Sequence, residues 1–268
     1  MSMTEHEPIA PAAVARDLSE SDLRAALAAG WDDFKTYPAF GLFFSAFYVL
    51  GGIALYFGLF ARGEAAWFIP IAAGFPLFAP FAAVGLYEVS RRREQGKSMK
   101  WGAVLGALRG RGDEQLLVMG VVVLIAFGFW IILARGIFAI FMAQSGIGTE
   151  SLALLVSFPG VMMLLIGSAV GALMAVALFA ITVVSLPMLL DRDVDFVTAM
   201  IVSMETVRAN PQIMLKWAAV IGATLFVAML PLFLGLFIAL PVLGHATWHM
   251  YRRAVAPPQP PSGGKAAA

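Results

Sequence analysis

The sequence predicts an all-α integral membrane protein, with six transmembrane helices and three short interfacial amphipathic helices. Three observations predict it. Hydrophobic residues fill 60% of the 268 positions and charged ones only 13%, where a soluble domain carries about 25% charge. Mean hydropathy is +0.85, more apolar surface than a water-soluble fold can hide. Apolar runs of about 20 residues, enough to cross a bilayer, are separated by short polar stretches, and the lysines and arginines gather in alternate ones.

Residues 1–18 are polar, contain Pro8 and Pro11, and lack the apolar core of a signal peptide. They read as a disordered tail, 19–253 as the membrane domain, and Ala254–Ala268 as a second disordered tail. Ser19-Glu20-Ser21-Asp22 supplies hydroxyl and carboxylate caps for a helix start. Leu23, Leu27, Trp31 and Phe34 then follow at helical spacing, opposite Arg24, Asp32 and Lys35. So short a helix, charged on one side, belongs in the membrane interface. Pro38 ends it.

The first span is expected at about Phe40–Phe60, followed by the polar turn Arg62-Gly63-Glu64. The second runs from about Trp67 to Ser90 and stops on Arg91, Arg92 and Arg93. Pro70, Pro76 and Pro80 each remove a backbone donor and should kink or break it. After the basic loop Arg91–Lys100, the residues Trp101, Leu105 and Leu108 trace a second amphipathic face, ending at Gly110-Arg111-Gly112. The third span covers about Leu116–Met142, and Gln144–Ser151 is a turn without a base.

Residues 151–190 would make a helix about 60 Å long, too long for one crossing. Pro159-Gly160 supplies the break, placing the fourth span at about Val161–Leu186, before Pro187 and Asp191-Arg192-Asp193. Residues 194–210 form a third amphipathic helix, with Val197, Met200, Ile201, Met204 and Val207 on one face. The run from Gln212 to His249 is again too long. A turn at Pro231 and Gly235 gives spans of about 213–230 and 232–250, with a single broken helix as the other reading.

Charge fixes the count. With six spans, every lysine and arginine except Arg62 and Arg135 falls on one side, which the positive-inside rule makes cytoplasmic. Five spans would put Arg252 and Arg253 outside. The expectation is a multi-pass protein of the bacterial inner membrane with both termini cytoplasmic.

Each amphipathic helix precedes a pair of spans, so the chain reads as three copies of one unit. Asp32–Pro38 and Glu205–Pro211 share one pattern: acid, any residue, apolar, base, two residues, proline. The middle copy, Leu108–Gly112, keeps apolar-then-base but has glycine in place of proline. Against this stands the plainer alternative that any interfacial helix entering a membrane needs a base and a breaker.

Candidate site residues cluster at the cytoplasmic ends of the even-numbered spans: Glu88, Arg91, Asp191, Asp193, His245, His249 and Arg252. If those ends meet, they form one polar cluster in which Glu88 can pair with a histidine or with Arg252; otherwise they are a solvated rim. His245 and His249 are four apart, a zinc-ligand spacing, and equally suit the headgroup zone beside Trp248 and Tyr251. Arg135 lies near the outer end of span three and can snorkel. Gly167 and Gly171 form GxxxG, which permits close helix approach.

Other signals are missing. The chain has no cysteine, so disulfides, thiolate metal sites and a cysteine nucleophile are excluded. There is no Walker loop, HExxH or GxSxG, and the middle thirds of the spans are nearly free of ionisable groups. Near-neutral net charge gives no nucleic-acid signature.

The stretches AALAAGWDDF (25–34), GFPLFAPFAAVGLYEVSRRRE (74–94), SLPMLLDRDVDFVTAM (185–200) and LPVLGHATWHMYR (240–252) resemble a bacterial family of predicted integral membrane proteins, the domain-of-unknown-function 2189 family. The resemblance spans about residues 20–255. It implies a multi-pass inner-membrane protein and supplies no activity or catalytic residues.

The functional expectation is a non-enzymatic scaffold or accessory subunit of a membrane complex, with the lipid bilayer, a membrane protein partner or a second copy as partner and no cofactor. The alternatives are a permease for an apolar or zwitterionic small molecule, and a metal- or haem-binding subunit through His245 and His249.

Overall fold

The computed structural model describes residues 13–61, 71, 79–109, 113–142 and 156–256. Over these the chain is helical: α1 (Glu20–Thr36), α2 (Pro38–Ala61), α3 (Ala79–Glu94), α4 (Trp101–Leu105) with a 3-10 turn behind it, α5 (Asp113–Met142), α6 (Phe158–Thr182), α7 (Ser185–Asp191), α8 (Phe196–Ala209), α9 (Pro211–Met229) and α10 (Leu236–Ala254). Among the described residues, four stretches are long and apolar enough to cross a membrane: Pro38–Leu59, Glu114–Phe141, Phe158–Asp191 and Pro211–Met229. In the first, second and fourth only 22% of the apolar window is buried. Most of their surface is therefore left for lipid.

α10 is the helix the others surround. It packs against α1, α2, α3, α7 and α9, and most of its length is buried, His245, Trp248 and Tyr251 included. A helix enclosed by protein needs no lipid-compatible face, so α10 can hold polar side chains that α2 or α5 could not. The six-residue reversal into it places Leu232 and Phe233 in left-handed backbone (φ 49° and 66°), a region side chains other than glycine rarely adopt. Phe233 is nonetheless buried, in a notch at Gly52 where a Cβ would lie 2.6 Å from its ring. The proline-broken part of the second span, residues 62–70 and 72–78, lies outside the described residues, as do the turns at Gly110-Arg111-Gly112 and 143–150.

Local caps are where the sequence puts them. Ser19 and Asp22 form a reciprocal capping box at the start of α1. A helix does begin at Pro159-Gly160, which form the first turn of α6, capped by the Ser157 hydroxyl. Pro187 likewise falls in the first turn of α7, where its missing N–H costs nothing. The fourth apolar run therefore does not stop at Leu186. It turns at Val183-Val184 and continues to Asp191.

Two junctions share one geometry. Tyr37, between α1 and α2, has φ −130°, ψ 57°, and its N–H donates to the Asp33 carbonyl. Asn210, between α8 and α9, has φ −133°, ψ 55°, and donates to the Thr206 carbonyl. In each case proline opens the next helix. The acid–base–proline pattern thus encodes one bend, used twice.

The structure corrects several expectations. Described residues within 13–18 and 254–256 take part in the fold. Val14 pairs with Val255, Leu18 is buried, and the Leu18 N–H donates to the Asn210 side chain, because the segment before α1 runs beside the end of α10 and the α8–α9 junction, which satisfy its backbone. The buried face of α1 is Leu23, Ala26, Gly30 and Asp33; of the expected stripe, Leu27 packs half-buried against the core, Phe34 is half-buried and Trp31 is exposed. In α8 the buried residues are Ala199, Val202, Ser203 and Thr206, while Val197 and Ile201 face out. Small and hydroxyl side chains let helices approach, and lipid takes the large apolar ones. Of the GxxxG pair, only Gly171 lies at a helix seam, against Trp130 of α5. A Cβ at Gly167 would meet nothing within 4 Å, while one at Gly171 would lie 3.0 Å from the Trp130 ring. Arg135 is exposed on α5.

Candidate functional site

The C-terminal ends of α3, α7 and α10 do meet, and the C-terminal half of α1 lies across them. Asp33 is the centre of this charged end. Small residues on α1 bring it there: a Cβ on Gly30 would lie 2.6 Å from the Val242 carbonyl oxygen and the Ala246 nitrogen of α10. One turn later the Asp33 carboxylate, 2% exposed, enters the interface. Its Oδ1 accepts from Arg93 at 2.6 Å, and Oδ2 accepts from the Ser90 hydroxyl at 2.6 Å and pairs with His249 Nε2 at 2.8 Å. Arg93 reaches Asp32 with its other terminal nitrogen, also at 2.6 Å.

Ser90 also lies 2.8 Å from His245 Nδ1. Because Ser90 gives its only proton to Asp33, His245 must donate through Nδ1. That leaves His245 Nε2 buried and without a partner among the described residues.

The other carboxylates are similarly engaged. Glu88, 2% exposed, accepts from Arg91 Nε at 2.9 Å and from Arg92 at 3.2 Å. Arg91 then ties α3 to α7 through the Leu190 carbonyl. Asp191 accepts from the Tyr251 hydroxyl at 2.8 Å and from Arg252 at 3.3 Å. Arg252 also pairs with Glu94, which accepts from Trp248 Nε1.

Of the sequence candidates, Glu88, Arg91, Asp191, His245, His249 and Arg252 all belong to this end. Glu88 pairs with neither a histidine nor Arg252; its own helix supplies two arginines three and four residues on. Asp193 is exposed on the loop after α7 and takes no part. The sequence reading missed Asp33, Ser90, Arg92, Arg93, Glu94 and Tyr251. For Asp33 the available signal was its place three residues after Gly30, on the small-residue stripe with Ala26.

The chemistry this arrangement allows is narrow. Asp33, Ser90 and His245 are contiguous, but in the wrong order for a nucleophile. An activated serine donates to histidine, which is held by the acid; here serine stands in the middle and gives its proton to the acid. The histidines, four apart, turn to Asp33 and Ser90, and no set of three or more His, Asp or Glu among the described residues is placed to hold a metal ion.

Burial pushes the Asp33 carboxyl up, but hydrogen bonds from His249, Ser90 and Arg93 outweigh it and hold the group at about 2, below its ordinary 3.8. A depressed carboxyl stabilises the fold above its unfolded value, and that contribution is lost as pH falls through the folded one. The Asp33 contribution, about 2 kcal/mol, should therefore disappear between about pH 4 and pH 2. Thermal unfolding of the detergent-solubilised chain should show this loss in the wild type and a flatter profile in Asp33→Asn.

Residues 68–191 match the family model described as predicted integral membrane protein (DUF2189). The match is narrower than the resemblance over 20–255. It includes Glu88, Arg91 and Asp191, but neither Asp33 nor the histidines of α10. No curated protein and no solved structure matches the chain. With the apolar helices, the match makes this an integral membrane protein, similar over those residues to a family of predicted integral membrane proteins.

Proposed function

We propose that the chain is a six-span protein of the bacterial inner membrane, built as interfacial-helix-plus-hairpin repeats, and that it works as a non-enzymatic scaffold or accessory subunit of a membrane complex. The charged end is the observation that supports it. Asp33, Glu88 and Asp191 are each engaged by two or more donors from the protein, and those of Asp33 and Asp191 come from other helices, so these carboxylates hold helices together rather than waiting for a substrate. α1, α4 and α8 serve as the interfacial helices. The span count adds the described parts of α3 and α10 to the four apolar stretches.

Affinity purification of the full chain from its own membranes, in mild detergent after crosslinking, tests the role. Reproducible recovery of one membrane complex is expected. A chain recovered alone, yet stabilised by one compound in a metabolite screen, would replace the scaffold with a permease. A haem band or stoichiometric zinc lost in His249→Ala would replace it with a metal- or haem-binding subunit.

Topology has its own test. The chain lacks cysteine, so single cysteines at Ser98 and Ser262 can be labelled in intact cells with an impermeant maleimide. Both should react only after permeabilisation. Reaction at one site alone in intact cells would refute an even number of spans.

A further inference from the structure

A crevice of about 600 Å³ lies between α6, α9 and α10, with α3 at its base. Its α9 wall runs from Leu215 to Met229, about 20 Å along the helix. One leaflet accounts for about 15 Å, half of a hydrocarbon core about 30 Å thick. The crevice is continuous with surface left for lipid: on its flanking helices Leu173 is 71% exposed and Phe226 62%.

The walls offer water almost nothing. Thr182 and Thr247 line the crevice, but each donates its hydroxyl to a carbonyl of its own helix, at Leu178 and Leu243. Buried water needs two to four polar partners, so the space suits a hydrocarbon chain. Tyr87 is the exception. It lines the crevice and is 4% exposed, and its hydroxyl has no hydrogen-bond partner among the described residues. Its oxygen is not one of the fully enclosed partnerless atoms of the described residues, which are Ser45 Oγ, Trp217 Nε1 and His245 Nε2, so the hydroxyl of this otherwise buried ring can reach an acceptor that enters the crevice.

Depth says which acceptor. Tyr87 precedes Arg91 by one helical turn, about 6 Å, and Arg91–Arg93 stand at the charged end of α3. A donor one turn below the charged layer sits at the level of the ester carbonyls of a phospholipid whose headgroup lies among the arginines. We propose that the crevice is a binding site for one diacyl phospholipid: an acyl chain lies along α9, and its ester carbonyl accepts from the Tyr87 hydroxyl.

Native mass spectrometry of the full chain, washed in mild detergent and titrated with dioleoyl phosphatidylglycerol or dioleoyl phosphatidylethanolamine, tests this. The wild type should hold one phospholipid per chain. Tyr87→Phe keeps the shape and removes the donor, and should weaken binding about three- to tenfold. Gly222 lines the crevice, and a Cβ there would meet nothing within 4 Å. Gly222→Phe should therefore fill the space, abolish binding and leave the melting temperature of the delipidated protein intact. Three results would overturn the proposal: no phospholipid on the wild type, undiminished binding in both variants, or binding of oleic acid or an isoprenoid quinone in place of the diacyl lipid.

Discussion

Asp33→Ala should be the most damaging substitution at the charged end, lowering stability by about 3–5 kcal/mol. The size follows from what is left behind. Removing the carboxylate strips Arg93 of a buried partner and leaves His249 and Ser90 facing a cavity. A surface ion pair would be worth no more than about 1 kcal/mol, and Asp32, half exposed beside the same arginine, provides that comparison. Asp32→Ala should therefore cost several-fold less, although both aspartates bond to Arg93 at the same distance. Thermal and denaturant unfolding of the detergent-solubilised chain, followed by tryptophan fluorescence, reads the difference. Equal losses in the two variants would mean that the carboxylates are equally hydrated and that the centre is not buried.

A double-mutant cycle refines the result. If Arg93 and Asp33 stabilise each other chiefly through their bond, Asp33→Asn should cost much less in an Arg93→Gln background, giving a coupling of about 1–3 kcal/mol. Independent costs would place the value of Asp33 in the two α10 and α3 contacts, His249 and Ser90, rather than in the arginine.

The apolar helices were legible because lipid imposes a length and a composition that any reader of the sequence can count. The charged end was partly legible for a similar reason: acids and bases at helix ends are visible as letters. What could not be read was the direction in which the amphipathic helices face. The usual rule assigns the large apolar stripe to the core, and it points Trp31 inward on α1 and Val197 and Ile201 inward on α8, all three of which are exposed. In a bilayer the large side chains gain nothing by burial against protein, since lipid is equally apolar, and packing goes to the residues that permit close approach. Ala26 and Gly30 on α1, with Ala199 and Ser203 on α8, occupy the seams instead. Rotating α1 by that amount is what carries Asp33 from a solvated face into the centre of the molecule. Asp33 was missed because its helix was turned the wrong way, not because the residue was obscure.

Gly30 then becomes the test of that seam, and the competing effects on it differ in sign. Replacing glycine by alanine inside a helix normally stabilises by up to about 1 kcal/mol, because glycine has more backbone freedom to lose. At Gly30 the new methyl would lie 2.6 Å from two backbone atoms of α10, the Val242 oxygen and the Ala246 nitrogen. Backbone cannot rotate aside as a side-chain tip can, so α1 must lift, and overpacking of this kind costs about 1–3 kcal/mol. The lift also pulls Asp33, one turn further on, away from Ser90 and His249. Gly30→Ala should therefore destabilise by about 3 kcal/mol or more despite its better helix propensity. Gly167→Ala, where a Cβ meets nothing within 4 Å, should show the propensity gain alone and melt at or above the wild-type temperature. The two glycines give opposite signs for the same substitution. If Gly30→Ala were neutral, α1 would not be seated on α10, and the Asp33 centre built on that contact would have no support.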